Sequence, residues 1–267
     1  MKKSTLADGR QMSWREAGNG PAVVLLHGWS MSSAVFTEVI EELSVDFRLL
    51  APDLRGHGGS DPGAGYAFAD FAADLVEWIQ VLDLREVALV GWSLGGQVAL
   101  ELCPALRERL RRLILVDTTP RFTAAADWTA GLPDLQVRAM ARDLKRNYLK
   151  TMGDFFALQF AGEELSRERF RRIADFAVRG GRLPEPDVAL AVLETLRLGD
   201  QRSGLGAINL PALVQHGELD RITLPGAAEY LAVHLTAARL ELLPGIGHAP
   251  FLSRPQEVSR RWREFLS

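Results

Sequence analysis

The chain has 267 residues, of which 47% are hydrophobic and 24% charged, and a net charge of −3. That is the balance of a folded domain with one sizeable core, and the charge argues against nucleic-acid binding by the whole surface. A lone cysteine, Cys103, excludes an internal disulfide and a cysteine metal cluster and reads as a small buried helix residue. The first residues carry two lysines without the apolar stretch of a secretory signal. No run approaches the roughly 18 apolar residues of a membrane helix, so the expected location is the cytoplasm.

In chain order, strand-like and helix-like segments alternate. MSWREAG (12–18) and AVVLLHG (22–28) read as strands, and SAVFTEVIEELSV (33–45) has helical spacing. FRLLAPDL (47–54) is strand-like and leads into the glycine-rich turn RGHGGS (55–60). FADFAADLVEWIQVLDL (68–84) repeats apolar residues at intervals of three and four, the mark of an amphipathic helix. VALVGW (87–92) is a buried strand, LGGQVALELCPAL (94–106) a helix and LRRLILVDTT (110–119) a strand. Such alternation predicts an α/β protein with a mostly parallel central sheet flanked by helices.

From Pro120 the strand-like runs stop. PDLQVRAMARDLKRNYLKTMGDFFALQFAG (133–162), SRERFRRIADFAVRG (166–180) and PDVALAVLETLRLGD (186–200) are all helix-like. ALVQHGELD (212–220) then restores a strand, followed by a helix (226–235), the strand ARLELLPG (238–245) and a closing helix (255–267). The reading is a core of residues 1–119 and 197–267, with a helical lid inserted over 120–196.

The turn GWSLGG (91–96) carries the chemistry. A buried strand, then G-x-S-x-G, then a helix raises a serine on a tight turn, here Ser93, with small neighbours that let the backbones approach. The helix after it aims its free N–H groups at the same place. A serine hydroxyl needs a base, and this motif expects the order serine, acid, histidine along the chain. His248, in the glycine-rich loop LPGIGHAPF past the last strand, is the favoured base over His216 and His234. Asp220, at the end of ALVQHGELD, is the favoured acid, with Asp117 at the end of LILVDTT as its rival. Oxyanion donors are expected from the backbone N–H of Leu94, after the nucleophile, and of Trp29, in the loop LLHGW. Asp53, Arg55 and His57 in DLRGHGGS read as a structural turn beside the site.

HGW, DLRGHGGS, GWSLGG, HGELD and GHAPF, in this order along nearly the whole chain, resemble the α/β-hydrolase superfamily. HGW with GWSLGG, TTPRFTAAADW, FFALQ and GHAPFLSRP resemble, more narrowly, the pimeloyl-acyl-carrier-protein methyl ester esterases of biotin synthesis. The resemblance implies a serine carboxylesterase with no cofactor or metal that removes the methyl ester from a seven-carbon acyl chain held on its carrier protein. Ser93 would be nucleophile, Asp220 acid and His248 base, with Trp29 and Leu94 forming the oxyanion hole and lining the substrate entrance. Phe155 would pack on the acyl chain. Arg167 and Arg171, with Lys150 as a weaker match, would contact the acidic carrier. Charge agrees in sign, because residues 142–182 hold ten Lys or Arg against six Asp or Glu in a chain of net −3. Two alternatives stand beside this reading. Arg167 and Arg171 could instead belong to a solvated helix face paired with Glu163 and Glu164. The enzyme could be a broad carboxylesterase for short acyl esters that needs no carrier.

Overall fold

In the computed structural model, which describes residues 1–267, alternate residues of the central strands face opposite ways. Each face of the sheet meets its own apolar layer. Eight strands form one sheet: β1 (Lys2–Thr5), β2 (Gln11–Ala17), β3 (Ala22–Leu26), β4 (Arg48–Pro52), β5 (Val87–Trp92), β6 (Leu110–Val116), β7 (Pro211–Gly217) and β8 (Ala237–Leu243). Their order is β1-β2-β4-β3-β5-β6-β7-β8. The β1–β2 and β2–β4 pairs are antiparallel and the rest parallel. This is the predicted α/β class, with one strand more than the sequence suggested. β1 is exposed along most of its length, so KKST carries no apolar alternation to reveal it.

The β3 residues Val24 and Leu26 pack into one layer with α2 (Phe68–Val81) and α3 (Leu94–Leu102). Val23 and Leu25 face the other, with α1 (Thr37–Leu43) and, near the C-terminus, a helix over Pro255–Leu266. A strand buried on both faces must be apolar throughout, which is why AVVLL and VALVGW show no polar alternation.

Between β6 and β7 the chain forms four helices: α4 (Asp134–Arg146), α5 (Tyr148–Leu158), α6 (Arg167–Ala174) and α7 (Pro186–Leu198). α7 runs two residues past the expected end of the lid at residue 196. The predicted helix over 133–162 breaks at Asn147, whose extended backbone ends α4 while its side chain accepts the Lys150 N–H to start α5. Asparagine does both because its short amide mimics a backbone acceptor. α8 (Pro225–His234), the short α9 (Pro250–Ser253) and α10 (Pro255–Leu266) complete the chain. No helix is long and apolar enough to cross a membrane.

The strand order opens a crevice. From β3 the chain turns to β4 on one side and then crosses to β5 on the other. The loops after β3 and β5 therefore diverge and leave a gap at the carboxyl ends of the strands.

Candidate functional site

Ser93 sits in that crevice with φ 54° and ψ −118°, a backbone shape that non-glycine residues seldom adopt. The surroundings force it. A Cβ on Gly91 would lie 2.5 Å from the Gly95 carbonyl oxygen, and one on Gly95 would lie 2.2 Å from the Leu26 carbonyl oxygen. Only glycine lets β5 turn so sharply into α3 beside β3, and the turn leaves the hydroxyl at the rim.

There His248 Nε2 lies 3.0 Å from Ser93 Oγ, and His248 Nδ1 lies 2.7 Å from Asp220 Oδ2. The loop carrying His248 is fixed from several sides. Trp92 Nε1 donates to the His248 carbonyl at 2.7 Å, and the His248 N–H donates to the Gln159 carbonyl at 2.8 Å. Glu163 accepts the neighbouring Gly247 N–H at 2.8 Å. Asp220 accepts the N–H groups of Ile222 and Thr223 and the Thr223 hydroxyl, at 2.7, 3.1 and 2.7 Å. Burial alone would push its carboxyl up. The charge of His248 and hydrogen bonds from His216 and His248 outweigh that and hold it below the usual carboxylate range.

Asp117, the rival acid, is also fully buried and close by. Its Oδ1 accepts the Gly217 N–H at 2.8 Å, while Oδ2 has no partner. Burial, and then repulsion from Asp220, push its carboxyl well above the usual range. The two aspartates thus sit in opposite protonation environments. His216 lies between them, 3.3 Å from Asp220 Oδ2 and 3.9 Å from Asp117 Oδ1, and donates from Nε2 to the Thr223 carbonyl at 2.7 Å. Sequence reasoning missed Thr223 and the partnership of His216 with Asp117. The spacing from His216 to Asp220 across one turn was the available signal.

The backbone N–H groups of Trp29 and Leu94 donate to no protein acceptor. Leu94 opens α3, whose first N–H groups have no partner within the helix. The Trp29 indole donates to the Ala189 carbonyl of α7 at 3.0 Å, and its ring meets Phe155 edge-on at 4.9 Å. His27 holds its loop to the sheet: Nε2 accepts the Leu54 N–H at 2.9 Å. In DLRGHGGS, Asp53 accepts from Ser33 and Gly59, Arg55 grips Asp74 and His57 donates to the Arg55 carbonyl. Every side chain singled out there holds the turn.

Trp29, Ser93, Gln97 and Phe155 line a narrow cavity that continues, past Phe122, Met140 and Ile222, into an open groove of about 670 Å³ between α4 and α5. Lys150 stands on this groove and pairs with Asp154. Arg167 and Arg171 do not join it. They line a separate cleft with Phe160 and Phe170, beside Ala157 of α5. Both are exposed and neither forms an ion pair, while Glu163 is taken by Gly247. The other arginines of α6 are committed, since Arg169 and Arg172 both bind Glu38 of α1.

Residues 21–255 match the family described as alpha/beta hydrolase fold. The chain is 40% identical over 240 residues to a pimeloyl-[acyl-carrier protein] methyl ester esterase of Nitrosomonas europaea, covering 90% of this chain and 93% of that protein. It is 37% identical to the protein of the same name from Nitrosospira multiformis, over 90% and 92%. An esterase from Exiguobacterium antarcticum superposes with a TM-score of 0.92 at 26% identity, over 99% of this chain and 98% of that one. The elbow, the strand order and these likenesses agree, and the chain belongs to the alpha/beta hydrolase family, grouping within it with the pimeloyl-[acyl-carrier protein] methyl ester esterases.

Proposed function

We propose that this chain is a serine carboxylesterase that hydrolyses the methyl ester of pimeloyl-acyl carrier protein in the cytoplasm, as a step in making the biotin precursor. The observation that carries the reading is the hydrogen-bonded series Ser93–His248–Asp220, with separations of 3.0 and 2.7 Å, in a chain so similar to esterases of that name.

Ser93 Oγ attacks the ester carbonyl carbon as His248 Nε2 takes the hydroxyl proton. Asp220 accepts the hydrogen bond from His248 Nδ1, which fixes the tautomer and stabilises the charged ring. The developing oxyanion is received by the free N–H groups of Leu94 and Trp29. As the intermediate collapses, the carbon–oxygen bond to methoxide breaks and His248 returns its proton to that oxygen, releasing methanol. Water, deprotonated by the same ring, then attacks the acyl-enzyme and frees the acid. The seven-carbon chain lies against Phe155 in the passage to the groove, which leaves its carrier-linked end outside.

The unpaired Arg167 and Arg171 favour a carrier over the generalist reading. Two free guanidinium groups on the cleft lined by Phe160 and Phe170 suit an acidic protein partner, and Lys150, already paired with Asp154, contributes less. Methanol release from carrier-linked and free pimeloyl methyl ester, measured side by side, tests both levels. Ser93→Ala should abolish release from both substrates; unchanged release would end the mechanism. Replacing Arg167 and Arg171 together should weaken the carrier substrate alone, in a salt-dependent way. Equal effects on both substrates would favour an esterase that needs no carrier.

A further inference from the structure

His248 serves as a base only while its loop holds the ring 3.0 Å from the Ser93 hydroxyl. The backbone around it is fastened group by group. Two fastenings come from the core: the Ile246 carbonyl accepts the Leu219 N–H at 2.8 Å, and the His248 carbonyl accepts the Trp92 indole N–H at 2.7 Å. Two come from the lid: the His248 N–H donates to the Gln159 carbonyl and the Gly247 N–H donates to Glu163 Oε1, both at 2.8 Å. Gln159 and Glu163 lie in the turn that follows α5, where Gly162 takes a left-handed φ of 91°. The approach is close. A Cβ on Gly247 would lie 2.4 Å from the Gln159 carbonyl oxygen and 2.9 Å from Glu163 Oε1, so only glycine admits this turn of the lid. Glu163 is the one lid side chain that hydrogen-bonds to residues 246–248. It is partly buried. Burial pushes its carboxyl above the ordinary value, and the Gly247 N–H is the strongest influence holding it down.

We propose that Glu163 is a positioning residue for the catalytic base: its side chain carries the lid's hold on the Gly247 N–H and so keeps the His248 ring within reach of Ser93. This rests on the esterase reading of the site. Glu163 lines neither the cavity at Ser93 nor the groove beyond it, so it acts through the loop and not on the ester. A carboxylate accepting a backbone N–H makes a stronger bond than a neutral acceptor does. Losing it frees the residue next to His248 on its N-terminal side. A base displaced by a fraction of an ångström takes the serine proton less readily, while the ester still binds, so the loss falls on kcat. Glu163 also lines the cleft of Arg167 and Arg171, which gives it a rival role as part of a docking wall. The two roles separate in kinetics. Docking acts on KM for a carrier-linked substrate, and positioning acts on kcat for any ester.

The test uses the full-length wild type, Glu163→Ala, Glu163→Asp and Glu163→Gln, each checked for cooperative thermal unfolding, with carrier-free dimethyl pimelate and with the carrier-linked methyl ester. Glu163→Ala should lower kcat on dimethyl pimelate by about tenfold while KM stays within about twofold. It should slow labelling of Ser93 by a fluorophosphonate by a similar factor, because that step also needs His248 to take the proton. Glu163→Asp, one methylene short of Gly247, should show a smaller loss of the same kind. Glu163→Gln keeps an acceptor oxygen at the same reach and should recover most of both rates. Wild-type kcat and labelling in folded Glu163→Ala and Glu163→Asp would overturn the inference and leave the esterase intact. A change confined to KM for the carrier-linked ester would overturn it in favour of the docking role. Equal losses in Glu163→Ala and Glu163→Gln would also overturn it, since the acceptor would then not matter. Failure of the wild type to label or to hydrolyse either ester would overturn the esterase reading and this inference with it.

Discussion

At the scale of single residues, Asp220, which the sequence favoured as acid, and its rival Asp117 sit in different surroundings. Both end strands, and both come after Ser93 along the chain. Asp220 is surrounded by donors, with two backbone N–H groups, the Thr223 hydroxyl and the His248 ring. Asp117 has one donor for two oxygens. Next to a negative neighbour, such a group holds its proton to higher pH than an ordinary carboxyl. A protonated aspartic acid and an asparagine are alike in shape and charge. Asp117→Asn should therefore leave kcat/KM within about threefold of wild type. Asp220→Asn should lower kcat by about 10⁴-fold, because an amide in that place favours the wrong tautomer of His248. Steady-state kinetics on the methyl ester decides between them, and the reverse ranking would make Asp117 the acid. That contrast was illegible in the sequence because it depends on which backbone N–H groups converge on each carboxylate. The elbow was legible, since no other arrangement explains three glycines packed around one serine at a strand–helix junction.

At the scale of elements, legibility tracked burial. β3 and β5 announced themselves by unbroken apolar runs, whereas exposed β1 had nothing to show. The break between α4 and α5 hid in Asn147, a residue that ordinary helices tolerate at their surface. Spacing sets Arg167 and Arg171 one turn apart on one side of SRERFRRIADFAVRG, and the arginines there divide by job. Arg169 forks onto Glu38, and Arg172 joins the same carboxylate at 2.9 Å; Arg167 and Arg171 stay free. Sequence spacing could not say which of them are paired, because Glu38 lies 131 residues away. The Arg169–Glu38 pair is the polar fastening of α6 to α1, with both side chains mostly buried. Arg169→Ala should then cost about 1–3 kcal/mol locally. Amide hydrogen exchange should quicken over residues 167–179 while the exchange of β3 and β5 holds. Unchanged exchange in α6 would mean that its apolar face, through Ile173 and Ala177, suffices to dock it.

At the scale of the whole molecule, the loops that frame the crevice make stability depend on pH. His27 and His57 are both fully buried with rings 5.3 Å apart. Burial, and for His57 the neighbouring His27, push the His57 ring down to about 3 from an ordinary 6.5; burial lowers His27 as well. A folded-state value below the unfolded one means that the unfolded chain binds more protons between pH 3 and 6.5. Stability from His57 is therefore whole above about 6.5 and drains as the pH falls through that window, by up to about 1.4 kcal/mol per pH unit. Asp117 runs the other way, since its raised value makes the folded state the better proton binder above 3.8. The two slopes partly cancel in the wild type, so the informative quantity is a difference between proteins. His57→Gln, which cannot charge, should lower stability at pH 7 through its lost packing and then lose less than wild type between about pH 6.5 and 5. Urea midpoints across that range at constant ionic strength measure the difference. Parallel curves for the two proteins would mean that His57 reaches water in the folded state, and that the turn 53–60 opens while the sheet stays closed.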